Sequence, residues 1–203
     1  MSPALVLLDG VRWHGAPVSG DRAHTLLAVL ALHGRAGAGD ERLVEELWPE
    51  EPPANPTKAL QVVVSRTRAA TAPDVVVRTP RGYRLGLPAS EVDVLLLGEL
   101  AERARDALAA GDTALAHRHA GRALAITATL DDAEGASGAL AELRATAAAR
   151  AAEARRVAAI AHSRDGAHAT ALPLLEQAAA DRPHDEELLA CLLRSEAAVR
   201  GAP

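Results

Sequence analysis

The chain has 203 residues, a formal net charge of −5, and an apolar fraction of 49% against 24% charged, the profile of one or two folded domains. With no Phe, one Tyr and two Trp its cores must be built from Leu, Val and Ala, and its single cysteine, Cys191, excludes an internal disulfide framework and a Cys-based zinc cluster. No stretch approaches the ~18 apolar residues of a membrane span, and Met1–Leu8 lacks the basic-then-apolar order of a signal peptide, so the chain reads as cytoplasmic.

In chain order, Ala4–Leu8 and Val11–Trp13 flank Asp9-Gly10, a strong two-residue hairpin signal, and predict two short strands. Ser19-Gly20 opens a predicted helix over Asp21–His33, where Ala23, Leu26, Leu27 and Leu30 recur at the spacing of one buried face. Gly34, Gly37 and Gly39 mark a loop. Asp40 is placed to cap a second short helix that turns Leu43, Val44 and Leu47 inward and is ended by Pro49, Pro52 and Pro53. Asn55 can cap a third helix with Pro56 at its first position, where a missing N–H costs nothing, running to about Ala70.

Val62-Val63-Val64 favours strand locally, but the helical wheel decides for helix. At about 100° per residue, Leu60, Val64, Thr67 and Thr71 share one side, and Lys58, Gln61, Val62, Ser65 and Arg68 the other, with Arg66 at its flank. Pro73-Asp74 breaks this helix. Val75–Val77 and Tyr83–Leu87 then predict a hairpin around Thr79-Pro80-Arg81-Gly82, and Pro88 to Ser90 reads as a linker.

From Val92 onward the pattern is helical and Ala-rich. Gly111 is followed by Ala116 and Ala123, and Gly166 by Ala171 and Ala178, at matching intervals, the second copy adding Pro183. That is the second half of a tetratricopeptide-like unit, in which small residues let paired helices approach closely. An extra helix is expected between the copies, roughly over Gly138–Ile160, after a loop at Thr127–Ser137. His184-Asp185 opens a last helix with Leu188, Leu189, Leu192 and Leu193 as its apolar face. In an array it would start a new pair, so the chain is expected to be the N-terminal portion of a longer protein, its repeat domain incomplete at the C-terminus.

The net charge hides a local contrast. Residues 1–88 carry ten bases against nine acids, and 89–203 twelve against eighteen. Asn55–Gly86 alone is +5, while Asp40–Glu51 just before it is −5. One basic block in an acidic chain is a localised footprint for nucleic acid.

Leu47-Trp48, the proline-rich loop, Ala59-Leu60-Gln61-Val62-Val63-Val64-Ser65-Arg66-Thr67-Arg68 and Val77-Arg78-Thr79-Pro80-Arg81-Gly82-Tyr83-Arg84-Leu85 occur in that order. On these motifs the chain resembles the SARP family, the actinobacterial antibiotic regulatory proteins. The resemblance covers nearly the whole chain, is strongest over 43–87, and implies a mainly α fold with small β. An OmpR-type winged helix-turn-helix over 1–88 would be followed by an all-α TPR-like bacterial transcriptional activation domain over 91–203. It implies a transcription activator that binds double-stranded promoter DNA at direct repeats, often of secondary-metabolite genes, and contacts RNA polymerase. Tandem sites of that kind accommodate a homodimer. No cofactor, metal or membrane is implied.

By position, the family pattern puts the third helix in the major groove with Lys58, Gln61, Val62, Ser65, Arg66 and Arg68, and the wing at the adjacent minor groove with Thr79, Arg81 and Tyr83. Arg can donate bidentately to guanine or anchor phosphate, Gln61 can read adenine, and Val62 can either touch a thymine methyl or be partly buried. Arg81 has the reach to enter a narrow minor groove. Tyr83 divides between core and phosphate contact, and Trp48 packs between the second helix and the loop. Val62-Val63 depart from the polar residues that related regulators often carry there. Glu45, Glu46, Glu50 and Glu51 form either a solvated face or a polymerase contact. The histidines include His117 and His119 as surface residues, no HExxH pattern occurs, and Cys191 reads as an inert core thiol. No phosphate loop, nucleophile elbow or catalytic carboxylate pair stands out, so an enzyme is not expected. The competing class is a helical-repeat adaptor, or a regulatory segment of a larger ATPase regulator, whose winged helix meets only protein.

Overall fold

The computed structural model describes residues 3–128 and 138–201. They divide into two compact units, one comprising 3–96 with 138–147 and the other 97–128 with 148–201.

The first unit opens with strands β1 (Leu5–Val6), β2 (Arg12–Trp13) and β3 (Ala16–Pro17), an antiparallel sheet in that order. Val6 faces Arg12 and Leu5 faces Trp13. A two-residue turn at Asp9-Gly10 would have paired Leu8 with Val11, so the expected hairpin forms with its register displaced by one residue. The cause lies far along the chain: the backbone N–H groups of Leu7 and Leu8 both donate to Asp93 Oδ2, each at 2.9 Å, and leave the ladder. Leu5 also bridges Val92, and the stretch read as a linker forms a short 3₁₀ turn at Ala89–Glu91.

Helix α1 (Asp21–His33) forms where its pattern predicts, with Leu26, Leu27 and Leu30 fully buried. After a 3₁₀ turn come β4 (Ala38–Gly39) and α2 (Asp40–Leu47), then α3 (Pro56–Ala70), β5 (Val76–Arg78) and β6 (Gly82–Leu85). The second sheet has the order β4-β6-β5 and is antiparallel throughout. Strand β4 was expected as loop, because two residues rich in glycine show no alternation. Gly82 permits it: a Cβ there would collide with the Ala38 carbonyl, so only glycine lets β4 lie against β6. Helices α1, α2 and α3 pack on one another, and α1 also covers β6.

The cap of α2 differs from expectation. Gly39 holds the N-cap position and no side chain caps the helix. Asp40 is instead the first helical residue, and its carboxylate accepts two hydrogen bonds from Arg78, at 2.6 and 2.9 Å. A bidentate guanidinium pair is the stronger use of that carboxylate.

Helix α4 (Asp93–Ala109) begins in the first unit and is followed by α5 (Thr113–Ile126), α6 (Ala139–Arg164), α7 (His168–Asp181) and α8 (Glu186–Arg200). The glycine-led spacing has a local counterpart in two helix starts. Gly111 and Gly166 both take a left-handed φ, 80° and 78°, at the turns into α5 and α7. Ala116, Ala120 and Ala123 of α5 match Ala171, Leu175 and Ala178 of α7 as buried positions. The helix expected between the two copies is α6, of 26 residues. The loop expected at Thr127–Ser137 lies largely outside the described residues.

Helix α8 is rotated from its expected face. Asp185 caps it by accepting the Leu188 N–H at 3.1 Å. Leu188, Cys191 and Ser195 are buried, whereas Leu189 and Leu193 are 37% and 66% exposed. A buried polar cluster sets this rotation. Ser195 Oγ lies 3.0 Å from Ser163 Oγ and 3.1 Å from His168 Nδ1, and these hydroxyls must face each other once they leave water. Around it, Arg156 bonds Asp185 at 2.5 Å and Glu187 at 2.8 Å, and Arg182 bonds Glu153 at 2.7 Å.

Candidate nucleic-acid interface

Helix α3 starts as its sequence dictates. Asn55 Oδ1 accepts the Lys58 N–H at 3.0 Å, and Pro56 sits in the first turn. Leu60, Val64 and Thr67 face the core. The buried Thr67 hydroxyl donates to the Val63 carbonyl at 2.9 Å, so its burial leaves no orphaned group. Lys58, Gln61, Val62, Ser65 and Arg66 are exposed. Val62, left open between burial and groove contact, is 42% exposed.

Arg68 does not share that freedom. It is half-buried, and its Nε donates to the Val76 carbonyl at 2.8 Å, tying α3 to β5. The outer surface of α3 also splits into two flanks. Gln61, Ser65 and Arg68 line a crevice of about 320 Å³ that Tyr83 closes. Ala59, Val62, Val63 and Arg66 line a larger cleft of about 990 Å³ shared with α1 and the end of α2. Residues predicted as one site thus face two concavities.

The wing is the β5–β6 hairpin. Arg78 pairs with Tyr83, and Thr79 with Gly82 closes the connection around Pro80-Arg81. Thr79 closes it twice: its N–H donates to the Gly82 carbonyl at 2.9 Å, and its hydroxyl accepts the Gly82 N–H at 3.1 Å. Arg81 at the tip is exposed and makes no ion pair among the described residues. Tyr83 is 6% exposed, which places the ring in the core rather than half outside it. Its ring lies 4.7 Å from the Arg78 guanidinium. The hydrogen bond that Arg78 donates to Asp40, partly opposed by desolvation, raises the pKa of Arg78 above the ordinary arginine value. Sequence reasoning missed Arg78 as a member of this surface, because its partner stands 38 positions away and no local pattern links them.

Glu45, Glu50 and Glu51 are exposed, and Glu46 pairs with Arg42 at 2.5 Å. Trp48 is half-buried, and Arg22 lies over its ring at 5.3 Å, a cation–π contact. Among the described residues no group of three or more His, Cys, Asp or Glu could hold a metal, and no helix is long and apolar enough to cross a membrane. His117 is exposed as expected, but its ring meets that of His162 at 4.3 Å, and His119 is half-buried.

The fold and this surface define the class: a mainly α chain in which a winged helix-turn-helix precedes further helices. No family model matches the chain. It is 31% identical to the regulatory protein AfsR of Streptomyces griseus over 104 residues, 49% of this chain and 11% of that protein. To AfsR of Streptomyces coelicolor it is 36% identical over 88 residues, 43% of this chain and 9% of that protein. The chain therefore spans about a tenth of the length of these curated relatives. Among solved structures, Mycobacterium tuberculosis EmbR, in complex with a low affinity phosphopeptide, matches with a TM-score of 0.73 and 23% identity, over 96% of this chain and 54% of that one. That likeness is one of fold. The two AfsR matches agree with the resemblance carried by the motifs of α3 and the wing, and the EmbR match agrees with the fold.

Proposed function

We propose that this chain binds duplex promoter DNA and activates transcription. Helix α3 enters the major groove with Lys58, Gln61, Val62, Ser65 and Arg66, and Arg81 of the wing reaches the adjacent minor groove. The observation that carries this reading is the pairing of a solvent-facing basic helix with a wing whose tip arginine has no partner among the described residues. Arg68 and Tyr83 act mainly by holding the helix and wing together, through the Val76 carbonyl and the Arg78 ring contact. Thr79 serves the turn. The exposed carboxylates Glu45, Glu50 and Glu51 offer RNA polymerase a surface separate from the phosphates, and the repeat helices after residue 91 form the activation domain. Copies bind side by side on direct repeats.

Fluorescence anisotropy with a promoter fragment carrying direct repeats tests this, across salt. About four phosphate contacts imply roughly a 100-fold loss of affinity between ~50 and ~200 mM salt. Absence of binding, or affinity that ignores salt, would leave the adaptor reading, in which α3 meets protein.

A further inference from the structure

We propose that the cleft between the start of α1, the end of α2 and the far flank of α3 is a regulatory binding site for an amphipathic organic anion: an apolar body bearing one carboxylate, sulfonate or phosphate. Its volume, about 990 Å³, is at the upper end of the ~300–1,000 Å³ common to small-molecule sites. The walls are of two kinds. Leu47, Trp48, Val62 and Val63 give apolar contact, and Arg22 and Arg66 bring two guanidinium groups to the same space.

Neither arginine makes an ion pair among the described residues, so both charges are free for a ligand. Arg22 is already held over the Trp48 ring, which fixes it beside the apolar wall. Two acids also line the cleft. Glu46 is neutralised by Arg42, which leaves Asp21 alone against two cations. Gly20, the N-cap of α1, supplies no side chain to that helix end, so backbone N–H groups add to the positive potential. A neutral apolar ligand would leave both guanidiniums unused, and an inorganic ion would leave the apolar wall unused. The chemistry favours one molecule with both parts.

Arg66 and Val62 also belong to the surface assigned to DNA. An occupied cleft cancels the Arg66 charge and adds bulk beside Val62, so the ligand lowers DNA affinity; this consequence rests on the DNA-binding reading, whereas the site itself does not.

The probe is 1-anilinonaphthalene-8-sulfonate, an aromatic body with one sulfonate, titrated into the full chain. Trp13→Phe leaves Trp48 as the only tryptophan reporter. Saturable binding that quenches Trp48 emission is expected, and Arg22→Glu and Arg66→Glu should each weaken it by about fivefold or more through charge reversal. Leu193→Glu, on the exposed face of α8, should leave the titration unchanged. Binding that fails to saturate, leaves Trp48 unquenched, or survives Arg22→Glu at full strength overturns the site. In a second arm the probe is added to a preformed DNA complex. Release of DNA is expected, and a complex insensitive to saturating probe overturns the regulatory role. No DNA complex at all would instead count against the DNA-binding reading, while the direct titration still judges the cleft.

Discussion

Arg66 and Arg68 stand two positions apart on α3, and both look like solvent-facing charges on a helical wheel. In the fold Arg68 donates to the Val76 carbonyl at 2.8 Å, while Arg66 has no protein partner among the described residues. Their alanine variants should therefore separate. Arg66→Ala is predicted to cost about 1–3 kcal/mol of DNA binding, the scale of one good base contact, with the melting temperature unchanged. Arg68→Ala should lose DNA binding and also about 1 kcal/mol of stability, because a half-buried carbonyl loses its donor. Equal melting temperatures for the two variants would show that the Val76 contact holds nothing. The difference was not legible in the sequence, since a wheel records direction and not the arrival of β5 eight residues later. The Asn55 cap was legible, because donor and acceptor lie within one turn. At the wing tip, Arg81→Ala is predicted to weaken binding to all sequences by similar factors, with some loss of preference for A·T-rich spacers. An effect confined to one base pair in a binding-site scan would mean direct base reading instead.

Among the elements, long amphipathic helices and the two hairpins were readable, and the two-residue strands outside a hairpin signal were not. The boundaries of α1 and α3 follow from one buried stripe each and from glycine, asparagine and proline at their ends. Strands β3 and β4 are two residues each, too short for alternation to register. The β1–β2 register escaped because a carboxylate on α4, Asp93, claims two amides that local pairing would have used. The face of α8 escaped for a related reason: counting leucines cannot anticipate that Ser195 is needed inside to meet Ser163 and His168. The wing offers a test at this scale. Gly82→Ala places a methyl group against the Ala38 carbonyl, and backbone on both sides leaves little room to yield. The β4–β6 pairing should open at a cost of roughly 1–3 kcal/mol, the range of overpacked sites, with DNA binding reduced as the wing loses its position. Denaturant unfolding of Gly82→Ala beside Gly86→Ala would show whether both close approaches matter, since a Cβ at Gly86 would likewise meet a carbonyl, that of Asp74. A Gly82→Ala protein as stable as the parent would remove the close approach as the reason for glycine there.

For the molecule as a whole, the titratable groups of the two units answer acid in opposite senses. In the first unit, burial pushes the Asp93 carboxyl above the ordinary aspartate value, against the N–H groups of Leu8, Leu7 and Val94 that favour its charge. A raised folded pKa means that the folded state takes up this proton first, so mild acid costs that unit nothing at Asp93 and relieves the buried charge. In the second unit, desolvation holds His162 below the ordinary histidine value, helped by His117 and opposed by Asp165. His119 is lowered by desolvation and then by Arg103, Arg122 and Arg118, and its Nδ1 is buried with no hydrogen-bond partner among the described residues. For these two the unfolded chain binds protons more readily than the folded one, so stability is complete above about pH 6.5 and falls as the pH drops below it. Asp185, lowered chiefly by its hydrogen bond from Arg156, adds a further loss only below the ordinary aspartate range. Hydrogen exchange followed peptide by peptide, corrected for intrinsic rates, should therefore show α5 and the end of α6 losing protection between about pH 7.5 and pH 5.5. Over the same interval α1 and α3 should hold theirs. His162→Leu together with His119→Leu should flatten the response, since neither replacement can take up a proton. Equal loss of protection in both units, or an acid response that survives the double variant, would place the sensitivity in groups other than these histidines.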